Sequence, residues 1–185
     1  MAIKTFTSGE VLTASDTNTF LTNAGYVYIT ELTFAGSTQT FLRIQNCFTS
    51  TYDNYLIVCS EMKMNTNLAT VQLYLDHTGR NDHYYGGNDI NIATATSGVV
   101  AAAGVVGQFI GWTSQNAMDT MISISAVTRA KRKGFHVQYS HDSYAGVNNG
   151  QDRSTTARTG FDIVVWAGGT QFNDGRVRVY GMRQP

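Results

Sequence analysis

The side chains most able to bind or react are concentrated between residues 76 and 89, where Asp76, His77, Asp82, His83 and Asp89 offer oxygen and nitrogen donors to a cation. Their order fits no EF-hand loop, and a glycine-rich calcium-binding repeat is present only as a fragment. The same stretch is dense in Gly, Asn and Asp, so an exposed loop built from turn formers is the expectation, with no metal assigned. His141-Asp142-Ser143 has the residue types of a hydrolytic triad. A triad is defined by geometry, however, and neighbours at a strand end point to different faces, so this tripeptide reads as a loop. His136 lies between alternating neighbours and reads as an outward-facing strand residue.

Other catalytic patterns are missing from the sequence. No Gly-x-Ser-x-Gly elbow is present, and no glycine-rich phosphate loop follows a strand and opens a helix. Glycoside hydrolysis needs two facing carboxylates. The glutamates are Glu10, Glu31 and Glu61, and nothing in their spacing pairs them. The expectation is a chain that is not an enzyme, with no catalytic residue and no cofactor; a small depolymerase has no support in these residues.

The sharpest charge feature is Arg129-Ala130-Lys131-Arg132-Lys133. Arg129, Lys131, Arg132 and Lys133 are candidates for a basic contact with an acidic partner; the alternative is a solvated hairpin turn. Over the whole chain 13 basic and 13 acidic residues cancel, which removes the general electrostatic case for nucleic acid or a membrane surface as partner. Charged residues are 14% of the chain against a usual share of about 25%, and near-zero net charge favours association. No apolar run is long enough to cross a bilayer as a helix, and the first residues contain no apolar signal-peptide core. Cys47 and Cys59 sit in apolar surroundings without metal-site spacing and read as buried, reduced thiols of a chain made in a reducing cytoplasm.

These residues must be positioned by strands. Residues 1–9 read as an extended arm, and residues 14–24 as one short helix. Thr13 and Asp16 resemble a capping box, and Gly25 is a natural stop. Ile3, Phe6, Val11, Leu12, Phe20 and Leu21 are too many apolar side chains for a free tail and are the candidate docking residues of this segment. From Tyr26 the apolar period changes to two, predicting strands over 26–34, 39–48, 54–64, 71–75, 118–128, 135–140, 161–167 and 176–182. Turn clusters are expected at 35–37, 50–54, 76–81, 146–150, 168–169 and 173–175, the last as a tight hairpin with Gly175 at positive φ. Residues 76–116 carry no clear strand pattern. The only proline is Pro185, so nothing interrupts the ladders. The fold expected is all-β: an antiparallel β-sandwich of jelly-roll type over residues 26–185, preceded by the docking arm and helix of residues 1–25.

Three segments carry a family resemblance. Gly9-Glu10-Val11-Leu12-Thr13-Ala14-Ser15-Asp16-Thr17-Asn18 resembles the opening segment of tailed-phage virion proteins, including those of cyanobacterial phages. Tyr52-Asp53-Asn54-Tyr55-Leu56-Ile57-Val58 and the terminal Val179-Tyr180-Gly181-Met182-Arg183 are similar to strands of the same group. The resemblance implies a virion structural protein located on the capsid surface or the tail. A compact domain behind an arm suits a capsid cement, or decoration, protein bound to the major capsid protein. The alternative is a tail-fibre or receptor- and glycan-binding module held by tail proteins. It also implies self-association, as a homotrimer, and it carries over no catalytic residues.

Overall fold

A computed structural model describes residues 25–75, 83–92, 94–105, 107–166 and 168–182. The expected helix over 14–24 and the docking residues Ile3, Phe6, Val11, Leu12, Phe20 and Leu21 lie outside them. The described chain is all-β and contains no helix. Twelve strands follow in order: β1 (Tyr26–Phe34), β2 (Phe41–Ile44), β3 (Asn54–Met64), β4 (Thr70–Leu75), β5 (His83–Asn91), β6 (Thr96–Val105), β7 (Gln108–Trp112), β8 (Met118–Ser125), β9 (Lys133–His141), β10 (Tyr144–Asp152), β11 (Phe161–Trp166) and β12 (Phe172–Met182). They form two antiparallel sheets. The larger has eight strands in the order β1-β12-β3-β8-β9-β10-β5-β6, and the smaller has four in the order β2-β11-β4-β7.

Alternation decides which residues meet between the sheets. In β8 Met118, Thr120, Ile122 and Ile124 are buried while Asp119, Met121 and Ser125 face out. In β9 Phe135, Val137 and Tyr139 point inward. The smaller sheet answers with Phe161, Ile163 and Val165 of β11 and Val71, Leu73 and Leu75 of β4. Phe109 of β7 joins the two layers, meeting Tyr139 edge-on with centroids 5.5 Å apart and stacking on Tyr85 at 5.8 Å. Each large apolar side chain removed from water in this way contributes on the order of 1.5–3 kcal/mol.

Strand β3 shows how a local irregularity keeps the core continuous. Its buried residues run Tyr55, Ile57, Cys59 and then Met62, Met64, a change of phase by one residue. Glu61 has φ 54°, and the register with β8 shifts between Cys59 and Met62. A bulge of this kind inserts one unpaired residue and so moves the following side chains to the other face. The Asp119 carboxylate accepts the Glu61 N–H at 2.8 Å and holds the bulge in place.

Several sequence expectations need correction. The strand expected over 39–48 is continuous only at Phe41–Ile44, with an isolated bridge from Gln39 to Phe172 before it and Asn46 turned to φ 55° after it; the strand expected to reach residue 128 stops at Ser125, because Ala126 turns to φ 58°. Residues 146–150 are not a turn but the middle of β10. Residues 173–175 are not a hairpin: they lie inside β12, whose register with β3 is irregular on both sides of Asp174. Gly175 does take positive φ, at 146°, but inside a bulged strand. The reversal before β12 is made at Gly168 and Gly169. The patternless stretch after residue 82 folds into β5, β6 and β7.

Candidate functional site

The broad outer face of the larger sheet is one surface that the described chain leaves uncovered. One cross-strand row passes through all its strands: Glu31, Arg178, Val58, Met121, Gln138, Val147, Asn88 and Val99 are successive register partners. Directly opposed residues of antiparallel strands share a face, so this row is one continuous line of contact. Its two ends differ in chemistry. At the β1–β12 end Arg178 Nε donates to Glu31 Oε2 at 2.6 Å, with Arg176 nearby at 3.8 Å. The Arg178 hydrogen bond, with help from Thr33, holds the Glu31 carboxyl below its ordinary range.

The other end is neutral. The outward positions of β8, β9, β10, β5 and β6 carry a single carboxylate, Asp119, and no Lys or Arg among the described residues, the nearest cation being Arg153 just past β10, which lies over the Tyr84 ring at 4.8 Å. Exposed apolar side chains collect there instead: Val99 is 79% exposed, Ile90 51%, Val147 45% and Met121 43%. Ile90, Val147 and Met121 line a shallow depression of about 780 Å³ floored by small residues such as Gly87, Ala145 and Gly146. Burying a charge at a contact costs free energy that burying Ser, Gly, Asn or Val does not, so a neutral face with exposed aliphatics suits contact with another macromolecule.

A second, smaller groove of about 430 Å³ opens beside β5, β6 and β7, between Trp112, Tyr144, Asn91, Ser97 and Leu68. Its aromatic wall is rigid. Trp112 Nε1 donates to Asp89 Oδ2 at 2.8 Å, the Tyr139 hydroxyl donates to Asp89 Oδ1, and Asn91 Nδ2 donates to the Tyr144 hydroxyl at 2.9 Å. Burial and the adjacent Asp89 carboxylate push the Tyr139 phenol far up, so it remains a donor.

The residues singled out from the sequence fall as follows. Asp76, His77 and Asp82 lie outside the described residues, and His83 opens β5. Asp89 is turned inward, with both carboxylate oxygens occupied by Tyr139 and Trp112. Among the described residues no three His, Cys, Asp or Glu side chains gather as a metal site would require. His136 faces out and pairs with Asn149 Oδ1 at 2.8 Å, as expected for a strand residue. His141 ends β9 and is buried. Its Nδ1 meets Asp142 Oδ1 at 3.0 Å, and the same carboxylate accepts Ser114 Oγ at 3.1 Å and Asn116 Nδ2 at 2.7 Å. The His141 contact, more than Asn116, holds the Asp142 carboxyl below its ordinary range. In a triad the hydroxyl sits on the imidazole nitrogen opposite the carboxylate. Here Ser114 sits on the carboxylate, Ser143 approaches His141 only through its backbone N–H at 3.3 Å, and His141 Nε2 is buried without a hydrogen-bond partner. The group ties two loops together.

The basic run divides in two. Arg129, Lys131 and Arg132 are exposed, and Arg129 forms a bidentate ion pair with Asp53. Lys133 is not part of any exposed knob: it is 0% exposed, and its Nζ donates to the Ser154 carbonyl at 2.8 Å and to that of Thr156 at 2.5 Å. The outer-face row and the Trp112 groove both escaped the sequence reading, because they depend on strands from the patternless stretch. Cys47 and Cys59 are both buried. No family model, no curated protein and no solved structure matches this chain.

Proposed function

We propose that the chain is a non-enzymatic structural protein of a tailed-phage virion, a capsid cement protein whose domain packs with other copies while residues 1–24 dock on the major capsid protein. The observation that carries this reading is the strand order. With the β5–β6 and β9–β10 hairpins set aside, the remaining eight strands run β1-β12-β3-β8 in one sheet and β2-β11-β4-β7 in the other. Successive strands of this set alternate between sheets except β4 and β7, which pair within the smaller one, in the manner of a jelly roll, an arrangement frequent in viral capsid and lectin domains. The neutral outer face supports the same reading, since a protein held between neighbours needs contact surface more than charge.

The test is deletion of residues 1–24. The remaining domain is expected to melt cooperatively near the temperature of the full chain and to lose binding to phage heads that lack this protein. Retained binding to heads would place docking on the sandwich and overturn the arm's role; binding to isolated tails alone would overturn the capsid assignment. Copy number per virion separates the two locations independently, being far larger on a capsid than on a tail.

The Trp112–Tyr144 groove favours a second reading, a glycan-binding module of the tail. A rigid aromatic wall with amide and hydroxyl groups at its rim suits a neutral sugar. Glycan-array binding by the intact chain that disappears in Trp112→Ala would support it.

A further inference from the structure

We propose that β6 is a self-pairing edge: two copies of this chain join antiparallel along residues 96–105, continuing the eight-stranded sheet of one copy into that of the other. This gives the self-association of the structural role above a two-fold contact in place of the homotrimer that the resemblance implies, and rests on that role only for its biological purpose.

An edge strand presents a row of backbone N–H and C=O groups with no partner inside its own sheet. The larger sheet has two such edges, β1 and β6. Edges are ordinarily blunted by charge, proline, bulges or shortness. Strand β1 follows that rule, for its register with β12 is broken between Tyr28 and Thr30 and it carries Glu31 in an ion pair. Strand β6 is blunted only at its far end. Its ten residues, Thr96-Ser97-Gly98-Val99-Val100-Ala101-Ala102-Ala103-Gly104-Val105, contain no charge and no proline. Its register with β5 is regular from Asn91–Thr96 to Tyr84–Ala103 and shifts only beyond it, where Gly104 is the extra residue. The regular part, Thr96–Ala103, offers on the order of 26 Å of uninterrupted ladder.

The chemistry of that edge selects a second copy as the occupant. Antiparallel pairing of a strand with itself sets each residue opposite the one reflected through the strand centre, so like charges would face one another in many registers, and this uncharged strand has none to oppose. The neighbouring surface has the same character, because Val99 at the end of the outer-face row is the most exposed large apolar residue of the described chain, with Ile90 and Val147 behind it. Two copies meeting across a two-fold axis place these patches side by side on one extended face, so the contact buries apolar surface as well as completing a ladder. Antiparallel pairing is the arrangement that lets both copies use the same edge, and it closes the assembly at two.

The experiment uses the full chain and a double variant, Val99→Glu with Ala101→Glu, both on the outer face where they leave the core untouched. Mass is measured by sedimentation equilibrium over a wide concentration range, and amide hydrogen exchange is followed over residues 96–105. The expected result is a dimer for the natural chain and a monomer for the variant. The variant should keep its cooperative melt, and alternate β6 amides should be protected at least about tenfold better in the dimer than in the monomer. A natural chain that is monomeric at every concentration overturns the proposal. So does a trimer, or a dimer that survives the double substitution with β6 amides still unprotected. No phage particle enters this assay, so failure of head binding after deletion of residues 1–24 would count against the virion role while leaving the β6 contact standing.

Discussion

Lys133 and Asp152 stand directly opposite one another across the β9–β10 ladder, and both are fully buried. Asp152 also lies 3.4 Å from Arg158 Nη2 and caps the next segment by accepting the Ser154 N–H at 2.8 Å. Lys133 in turn donates to the carbonyls of Ser154 and Thr156. The irregular stretch between β10 and β11 is thereby tied to the sheet by ionic and charge-assisted hydrogen bonds in place of a ladder.

Removing one member of such a group leaves the rest buried and uncompensated. Lys133→Ala is expected to lose about 3 kcal/mol of stability, read as a lower midpoint in guanidinium unfolding with unchanged slope. Arg129→Ala, four residues away in the same basic run, removes a half-exposed ion pair with Asp53 and is expected to cost less than about 1 kcal/mol. Equal losses at the two positions would contradict the division of this run into an interior and a surface part.

Gly87 of β5 faces Asn148 of β10 on the inner side of the sheet. A Cβ there would lie 2.2 Å from the Val147 carbonyl oxygen and 2.3 Å from Asn148 Cβ. These are backbone and near-backbone atoms that cannot swing aside, so Gly87→Ala is expected to destabilise by roughly 2 kcal/mol through overpacking. Gly98, in β6, has nothing within 4 Å of the same position. Gly98→Ala is expected to be neutral within about 0.5 kcal/mol, since a surface substitution away from special features rarely exceeds that. Thermal melts of the two variants make the comparison.

Burial in the core, and to a lesser degree Asp119, push the Cys59 thiol up from 9.0 to about 12. A folded state that keeps this proton while the unfolded state releases it loses stability as pH rises. The contribution is complete below pH 9 and declines by up to about 1.4 kcal/mol per unit between there and the folded value. Cys59→Ala removes this dependence. The stability gap between natural chain and variant is therefore expected to narrow from pH 8 to pH 11 in urea unfolding, while a gap independent of pH would show that the thiol is not protected. At neutral pH both Cys47 and Cys59 should resist alkylation in the folded chain and label fully once it is unfolded without reductant.

What the sequence determined by itself were the elements whose pattern is local. β1 and β3 were legible to the residue, because period-two alternation over Tyr26–Phe34 and a strongly apolar run over Asn54–Met64 are each bounded by turn residues. The outward placing of His136 followed from alternation in the same way. Tertiary structure decided the rest. Gly146 and Gly150 read as turn residues, yet they sit in β10 because Tyr139, Asp89 and Gln108 occupy the space where a Cβ would lie: 2.5 Å from the Tyr139 hydroxyl at Gly146 and 1.7 Å from Gln108 Oε1 at Gly150. Glycine in a strand and glycine in a turn look alike in one dimension, and only the partner that fills the vacated volume tells them apart. Lys133 was grouped with its exposed neighbours for the same reason, since the carbonyls and the carboxylate that make its burial tolerable come from a different part of the chain. The neutral outer face and the β6 edge are likewise properties of strand order, which places eight separated segments side by side through contacts that no local pattern records.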